Sequence, residues 1–322
     1  MNKRVLSTIA LVGGLAVALS ACSGAPTESS SSSDSTPAAS SAAGALAPAT
    51  ATADMMAKLP QKYSDAGVLK VATTDGNAPW SFLDPSTREA SGVDADLINE
   101  AAKRLGLKVE WSDVQFTAAL PGVQGGRFDI YLSAMADRTD RQEVVNFIDY
   151  STEGSAIVVP KGNPKNITGF ASLCGLRVNY LTGSLFPPLI EELNSTDCKD
   201  NKIQATESAD KQAIYLAVAS GQADATFDTY GVSNYQFNTA KEGVGLELEI
   251  APVPPFAPAN QGIAFSQAEP DLLYAMAGAM QQMVEDGSYQ AIFDKWSVGD
   301  LALTAISINT VLDSKLMDFF QK

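Results

Sequence analysis

The stretch "VDADLINEAAKRLGLKVEW", residues 93–111, holds two periodicities side by side. Leu97, Ile98, Ala101, Ala102 and Leu105 recur at helical spacing and share one face of a helix, which Gly106 stops. Immediately afterwards Leu107, Lys108, Val109, Glu110 and Trp111 alternate apolar with charged residues, the period of a half-buried strand. A β-rich run, "VLKVATT" (68–74), precedes this unit. A short helix in "FTAALPGVQGG" (116–126), broken by Gly125 and Gly126, and a strand in "FDIYLSAM" (128–135) follow it. Strands alternating with helices predict a largely parallel sheet covered by helices, and so an α/β fold.

The pattern restarts in "LRVNYLTGSLFPPLIEELN" (176–194) as strand, Thr-Gly-Ser turn and helix. It continues through a helix in "SADKQAIYLAVASG" (208–221) and a strand in "QADATFDT" (222–229), which makes two α/β units in tandem. The globular part closes with helices. One has Pro270 in its first turn and runs to Gly287; the next carries Tyr289, Ile292, Phe293 and Trp296 on a single stripe. That stripe, with Met276, Met280 and Met283, reads as core packing.

With 322 residues and 45% apolar content, the chain is long enough for one large domain or two modest ones. Its formal charge of −15 repels nucleic acid and anionic membranes, and no basic patch offsets it. It contains no histidine. That excludes Ser-His-Asp and Cys-His nucleophiles and every His-ligated metal centre. No cofactor is implied.

The amino terminus, "MNKRVLSTIALVGGLAVALSAC", places Lys3 and Arg4 before an uncharged run that ends at Ala21. The run sits at the short end of the about 20 residues a spanning helix needs, and its flanks match an export signal. Leu19-Ser20-Ala21-Cys22 resembles a bacterial lipobox, in which the cysteine is lipidated and becomes the first residue of the mature protein. Residues 1–21 are therefore expected to be a signal peptide. Residues 22–62 are expected to be a tether, rich in Ser and Ala over its first part and too polar to bury a core. Cys174 and Cys198 then remain as an even pair in an exported protein; a disulfide is expected, with two buried free thiols the alternative.

Seven segments in order resemble the family-3 extracellular solute-binding proteins, receptors of bacterial polar amino-acid ABC importers. They are "APWSF" (78–82), "GVDADL" (92–97), "FTAALPGVQGGRFD" (116–129), "DRTDRQEVVNFIDY" (137–150), "TGS" (182–184), "GQADA" (221–225) and "DGSYQAIFDKW" (286–296). The resemblance implies a periplasmic-binding-protein-like fold, two α/β lobes joined by two crossing strands with a ligand cleft between them. The crossings would fall near residues 153–159 and 258–265. Lobe 1 would then comprise residues 63–156 and 251–310, lobe 2 residues 157–250, and residues 311–322 a tail.

By the same resemblance Arg141 clamps the ligand's α-carboxylate through its planar guanidinium, and Phe116 and Trp80 wall the cleft. Ser133 and Ala134 contribute hydroxyl and backbone groups, and Thr182, Gly183 and Ser184 offer N–H groups at a helix start. Asn77 stands where a tyrosine is frequent, and Arg138 where a threonine is usual. The aspartate that ordinarily meets the α-ammonium would fall at Thr229, with Asp228 one residue earlier. A one-residue slip turns a strand side chain to the other face, so either a bulge restores Asp228 or the ligand is not an ordinary α-amino acid.

Locally, Thr139 or Asp140 can start a helix with Gln142 or Glu143 closing a capping box. Arg141 would then lie in the first turn, where the helix dipole disfavours a cation unless an anion compensates it. Arg138 is expected to be partly solvated and paired with Asp137 or Asp140. The function implied is a lipid-anchored, monomeric receptor that delivers a small carboxylate-bearing solute, an amino acid or a relative, to ABC permease subunits, touching the membrane through its anchor alone and binding no nucleic acid. The alternatives are a dehydratase-like enzyme on the same fold and an extracytoplasmic sensory protein.

Overall fold

The computed structural model describes residues 44–239 and 247–312; the expected signal peptide, Cys22, the tether up to residue 43 and most of the tail (313–322) lie outside them. Two long strands organise everything else. Val145–Pro160 and Phe256–Ser266 pair antiparallel along most of their length, from Val145 opposite Ser266 to Ser155 opposite Phe256. On one side of this ribbon lie Ile130–Tyr131, Val68–Thr73 and Lys108–Asp113; on the other, Ala225–Thr229, Arg177–Leu181 and Gln204–Ser208. Within each flank the strands are parallel, as helical crossovers between successive strands require, whereas the two crossing strands run antiparallel to their neighbours. The sheet is therefore mixed.

The helices form because their apolar residues share a face. In Val93–Arg104 the buried set Val93, Leu97, Ile98, Ala101 and Ala102 packs on Leu69, Val71, Ile130 and Ile148 of the lobe 1 sheet. Helix Pro270–Asp286 buries Leu272, Leu273, Met276, Met280 and Met283 in the same core, and Gly287 ends it in a left-handed conformation. Tyr289 and Phe293 of the next helix, Ser288–Lys295, join them, while Ile292 and Trp296 are only partly covered. Lobe 2 has its own core, in which Leu189, Ile190 and Leu193 of helix Phe186–Ser195 meet Val178, Ile157, Phe227 and Phe256.

The amino-terminal segment corrects the expected tether. From residue 44 to residue 62 the chain belongs to lobe 1. Leu46 N–H donates to Asn146, Ala49 and Thr50 pair with Ile308 and Ser307, and the helical turn Ala53–Lys58 packs along helix Pro270–Asp286. The close approach is made at Gly278, where an added Cβ would stand 2.3 Å from the Met56 nitrogen. Composition marked this segment as too polar, but a few residues suffice when Met55 and Met56 cover an existing core and the backbone completes an open sheet edge.

Cys174 and Cys198 are joined, with Cα atoms 5.0 Å apart. The bond ties the turn at Phe170–Leu173 to the segment that follows helix Phe186–Ser195, closing a loop of 24 positions. By loop entropy it contributes roughly 3 to 4 kcal/mol. Replacing both cysteines by serine is expected to lower the urea midpoint and, because the uncrosslinked denatured chain is more expanded, to raise the m-value; an unmoved midpoint would show that the cross-link carries no stability.

Candidate functional site

Between the lobes lies a cavity of about 70 Å³, walled from both sides and floored by the crossing strands. The floor is irregular. The pairing of the two crossing strands shifts register between Phe256 and Ala259, where Ala257 adopts φ +46, and again between Gln261 and Gly262. Such bulges re-aim side chains, and Ala257, Ala259 and Gln261 all face the cavity.

Lobe 1 contributes Arg141 from the four-residue helix Thr139–Gln142. The expected capping box is absent: Arg138 is the N-cap, with no side-chain capping bond, because Asp140 turns outward to Arg138 and Gln142 donates to the buried Asp137. Arg141 is 93% buried by the complement of its 7% exposure. Its Nη1 donates to the Ala136 carbonyl at 2.6 Å and its Nη2 to the Gly183 carbonyl of lobe 2 at 2.8 Å, while the Phe116 ring lies 5.5 Å from its Cζ. Burial first, and then the neighbouring Arg138, lower its pKa to about 10, so it stays charged at neutral pH. Among the described residues no carboxylate lies within ion-pair distance of it. Arg138 instead forms a two-pronged pair with Asp140 at 2.8 and 2.9 Å and reaches the Ser184 carbonyl at 3.0 Å.

Asn77, Ser133 and Ala134 also face the cavity. Asn77 Nδ2 donates to Ser133 Oγ at 2.7 Å, and Ser133 donates to the Thr74 carbonyl at 3.0 Å, so both hydroxyl and amide are held in place. Trp80 does not wall the cleft. It is fully buried in the lobe 1 core, edge-on to Tyr150 and Phe293 at 5.9 Å each, because a large ring behind the first strand has more apolar surface to meet there than in a cleft.

From lobe 2, Ser184 lines the cavity, but Thr182 and Gly183 stand behind the wall. The Thr182 N–H is bonded to Ser208, and Gly183 presents its carbonyl to Arg141 instead of an N–H to a ligand. Asp228 and Thr229 both line the cavity. No bulge places them there: residues 226–229 pair in unbroken register with 158–155, and the strand ends at Thr229, where the chain turns into the next helix. Alternation no longer separates the two side chains at a strand's end.

The sequence reading missed three groups. Lys211, first residue of helix Lys211–Ala219, sends its ammonium to Asp228 Oδ1 at 3.0 Å and Oδ2 at 2.9 Å, and across the cleft to Asn77 Oδ1 at 2.5 Å. Tyr215, one turn later, donates to Asp228 Oδ2. Glu153, on the first crossing strand, accepts the Gly231 N–H at 2.7 Å, and its Oε1 has no partner. Burial pushes its pKa up to about 8, so it holds its proton at neutral pH. Two signals could have exposed them: a glutamate just before the apolar run 156–159 of the crossing strand, and a lysine directly after the N-cap Asp210, where the helix dipole disfavours it.

Two α/β lobes, a pair of crossing strands and a cavity between them with a buried, unpaired guanidinium define a binding protein that holds a small solute in its cleft. The chain belongs to the bacterial extracellular solute-binding proteins, family 3, whose model matches residues 69–299. It is 27% identical over 250 residues to the L-cystine-binding protein TcyA of Bacillus subtilis, covering 77% of this chain and 87% of that one. It is 27% identical over 261 residues to the arginine-binding protein ArgT of Corynebacterium glutamicum, covering 80% and 83%. Among solved structures, an ancestral arginine-binding protein bound to arginine superposes with TM-score 0.63 at 27% identity, over 71% of this chain and 98% of that one.

Proposed function

We propose that this chain is the membrane-anchored, extracytoplasmic receptor of an ABC importer and captures a small carboxylate-bearing solute, an amino acid or a relative of one, in the cleft between its lobes. One observation carries the proposal: the buried Arg141 guanidinium faces the cavity with part of its donor fork free and, among the described residues, no carboxylate in ion-pair contact with it. A desolvated cation without a counter-ion is costly, and a ligand carboxylate supplies one. The apolar walls, Phe116, Leu185, Phe186, Ile214 and Phe227, would take the ligand's carbon skeleton. Relatives that bind cystine and arginine support an amino-acid-like solute. A binding role is favoured over a dehydratase because the relatives matched along most of their length are binding proteins.

Closure would be fastened by four bonds that cross from lobe to lobe: Arg141 to Gly183, Arg138 to Ser184, Lys211 to Asn77, and Gln236 to the Gly76 carbonyl at 3.1 Å. A thermal-shift screen of the purified protein against amino acids, polyamines, betaines and small organic acids tests the assignment. A carboxylate should raise the melting point by linkage, and a response confined to cations would refute it.

Cys22 would be the lipidated anchor, from its place behind Leu19-Ser20-Ala21. Replacing Cys22 by alanine is expected to release the protein from the membrane fraction; retention with an unmodified terminus would contradict the anchor.

A further inference from the structure

In an amino-acid site one carboxylate must remain free to receive the α-ammonium. Here the candidate, Asp228, is already engaged by the protein. Its Oδ1 accepts from Lys211 at 3.0 Å and from the Thr229 N–H at 2.8 Å; its Oδ2 accepts from Tyr215 and lies 2.9 Å from the same Lys211 ammonium as an ion pair. Three hydrogen bonds and an ion pair thus occupy both oxygens of a carboxylate that has about four acceptor sites.

Lys211 is a built part of this arrangement. Its side chain is only 12% exposed, and its ammonium donates to Asp228 Oδ1 and Asn77 Oδ1. A cation in the first turn of a helix works against the dipole, so a lysine held there needs the anion it has found. The charges facing the cavity are then Lys211 and Asp228, which pair with each other, and Arg141, which makes no ion pair among the described residues. Glu153 is the other acid on the wall; buried beside the indole of Trp80, it presents a neutral carboxyl group whose Oε1 is unpartnered. Gln261 Oε1 and Thr229 Oγ1 are likewise buried without partners on the same walls. The cavity thus offers one positive charge and several neutral polar groups.

We infer that the solute is a small monocarboxylic acid whose other polar groups are uncharged, of the 2-hydroxy or 2-oxo acid class, and that Lys211 excludes the 2-amino acid by occupying Asp228 in place of a ligand ammonium. This rests on the carboxylate capture proposed above. A monoanion neutralises Arg141 and leaves no charge over; a 2-hydroxyl can donate to Gln261 Oε1, and a 2-oxo group can accept from the Thr229 hydroxyl. A zwitterion would bring in a second cation with no free anion to meet it, at the cost of an unpaired buried charge.

The test is calorimetric titration of the full-length wild-type protein with 2-hydroxy, 2-oxo and 2-amino acids built on the same branched or aromatic carbon skeletons. The hydroxy or oxo acid should bind at least about tenfold more tightly than the matching amino acid, the difference expected when a site leaves a charged group unpaired. Lys211→Gln, which returns acceptor sites on Asp228, should shift that preference toward the amino acid by at least about tenfold. An amino acid that binds wild-type protein as tightly as its hydroxy analogue would overturn the inference while leaving carboxylate capture intact. Silence of all three series would overturn both. A folded Lys211→Gln protein with unaltered preference would show that Lys211 is not the discriminating residue. The wild-type ratio decides the ligand class even where the variant is unstable.

Discussion

Arg141→Ala is expected to weaken solute binding by at least about a hundredfold, while Arg138→Ala changes it by less than about fivefold. The asymmetry comes from burial and pairing. Arg141 is buried, and two of its donors are fixed on the Ala136 and Gly183 carbonyls, which orient the fork and leave its other N–H groups for a ligand. Charge-assisted bonds of this kind contribute about 1.5 to 3 kcal/mol each, and truncation strands a desolvated carboxylate, so two decades is a lower figure. Arg138 is more open, with 28% of its side chain exposed, and its charge is already balanced by Asp140. A pair of that type is worth about 0 to 1 kcal/mol, and the remaining loss is one closing bond to Ser184. Titration of both variants with the tightest ligand from the screen is decisive. Equal losses, or a larger loss at Arg138, would place the clamp on the wrong arginine.

The second large effect is on stability against pH. Asp94 is fully buried beneath Tyr150, whose hydroxyl donates to it at 2.8 Å, and desolvation pushes its pKa up to about 8. Glu153 is raised to about 8 for the same reason, and the neighbouring Asp137 and Asp149, buried against each other, shift upward as well, chiefly by desolvation. Each of these acids binds its proton more tightly folded than unfolded. Their contribution to stability is therefore fully present below the unfolded value near 4 and is lost as pH rises toward 8. The slope is at most about 1.4 kcal/mol per pH unit for each group, so a substantially lower melting temperature is expected at pH 8 than at pH 5. Asp224, lowered by its pair with Arg177, acts in the opposite direction, but only as pH falls below about 4. Thermal unfolding across pH 4 to 9 tests this, with Asp94→Asn expected to flatten the slope. A melting temperature that rose from pH 5 to pH 8 would contradict it.

Much of the architecture was legible in the chain because it is written in local periodicity. Leu97, Ile98, Ala101 and Ala102 define a helix face whatever they pack against, Gly106 and Gly287 stop helices through their own backbone freedom, and the alternation from Leu107 to Trp111 requires a strand. The two tandem α/β units follow from information of this short-range kind, whereas the bond between Cys174 and Cys198 is read from their being an even pair in a chain with an export signal. Residues 44–62 were not legible, because what holds them is the open edge at Ile308 and the helix containing Gly278, more than 200 positions away.

The site divides along the same line. Its position in the cleft, its guanidinium at Arg141 and its aromatic wall at Phe116 could be located from ordered motifs, since each motif sits at the end of an element whose place is set locally. The charge balance could not. Lys211 and Asp228 lie on different elements, Asn77 on another lobe and Glu153 on the ribbon between them, and no spacing along the chain encodes that their polar atoms meet. Trp80 shows the same division: the sequence identifies a large apolar ring after the first strand, but whether it faces ligand or core depends on which surface is free once Tyr150 and Phe293 arrive. Periodicity and turn chemistry are properties of neighbours in sequence, so the sequence determined the elements, their order and the family. Pairing, desolvation and the choice of which carboxylate remains free are properties of neighbours in space, so only the tertiary structure decided what the cleft can hold.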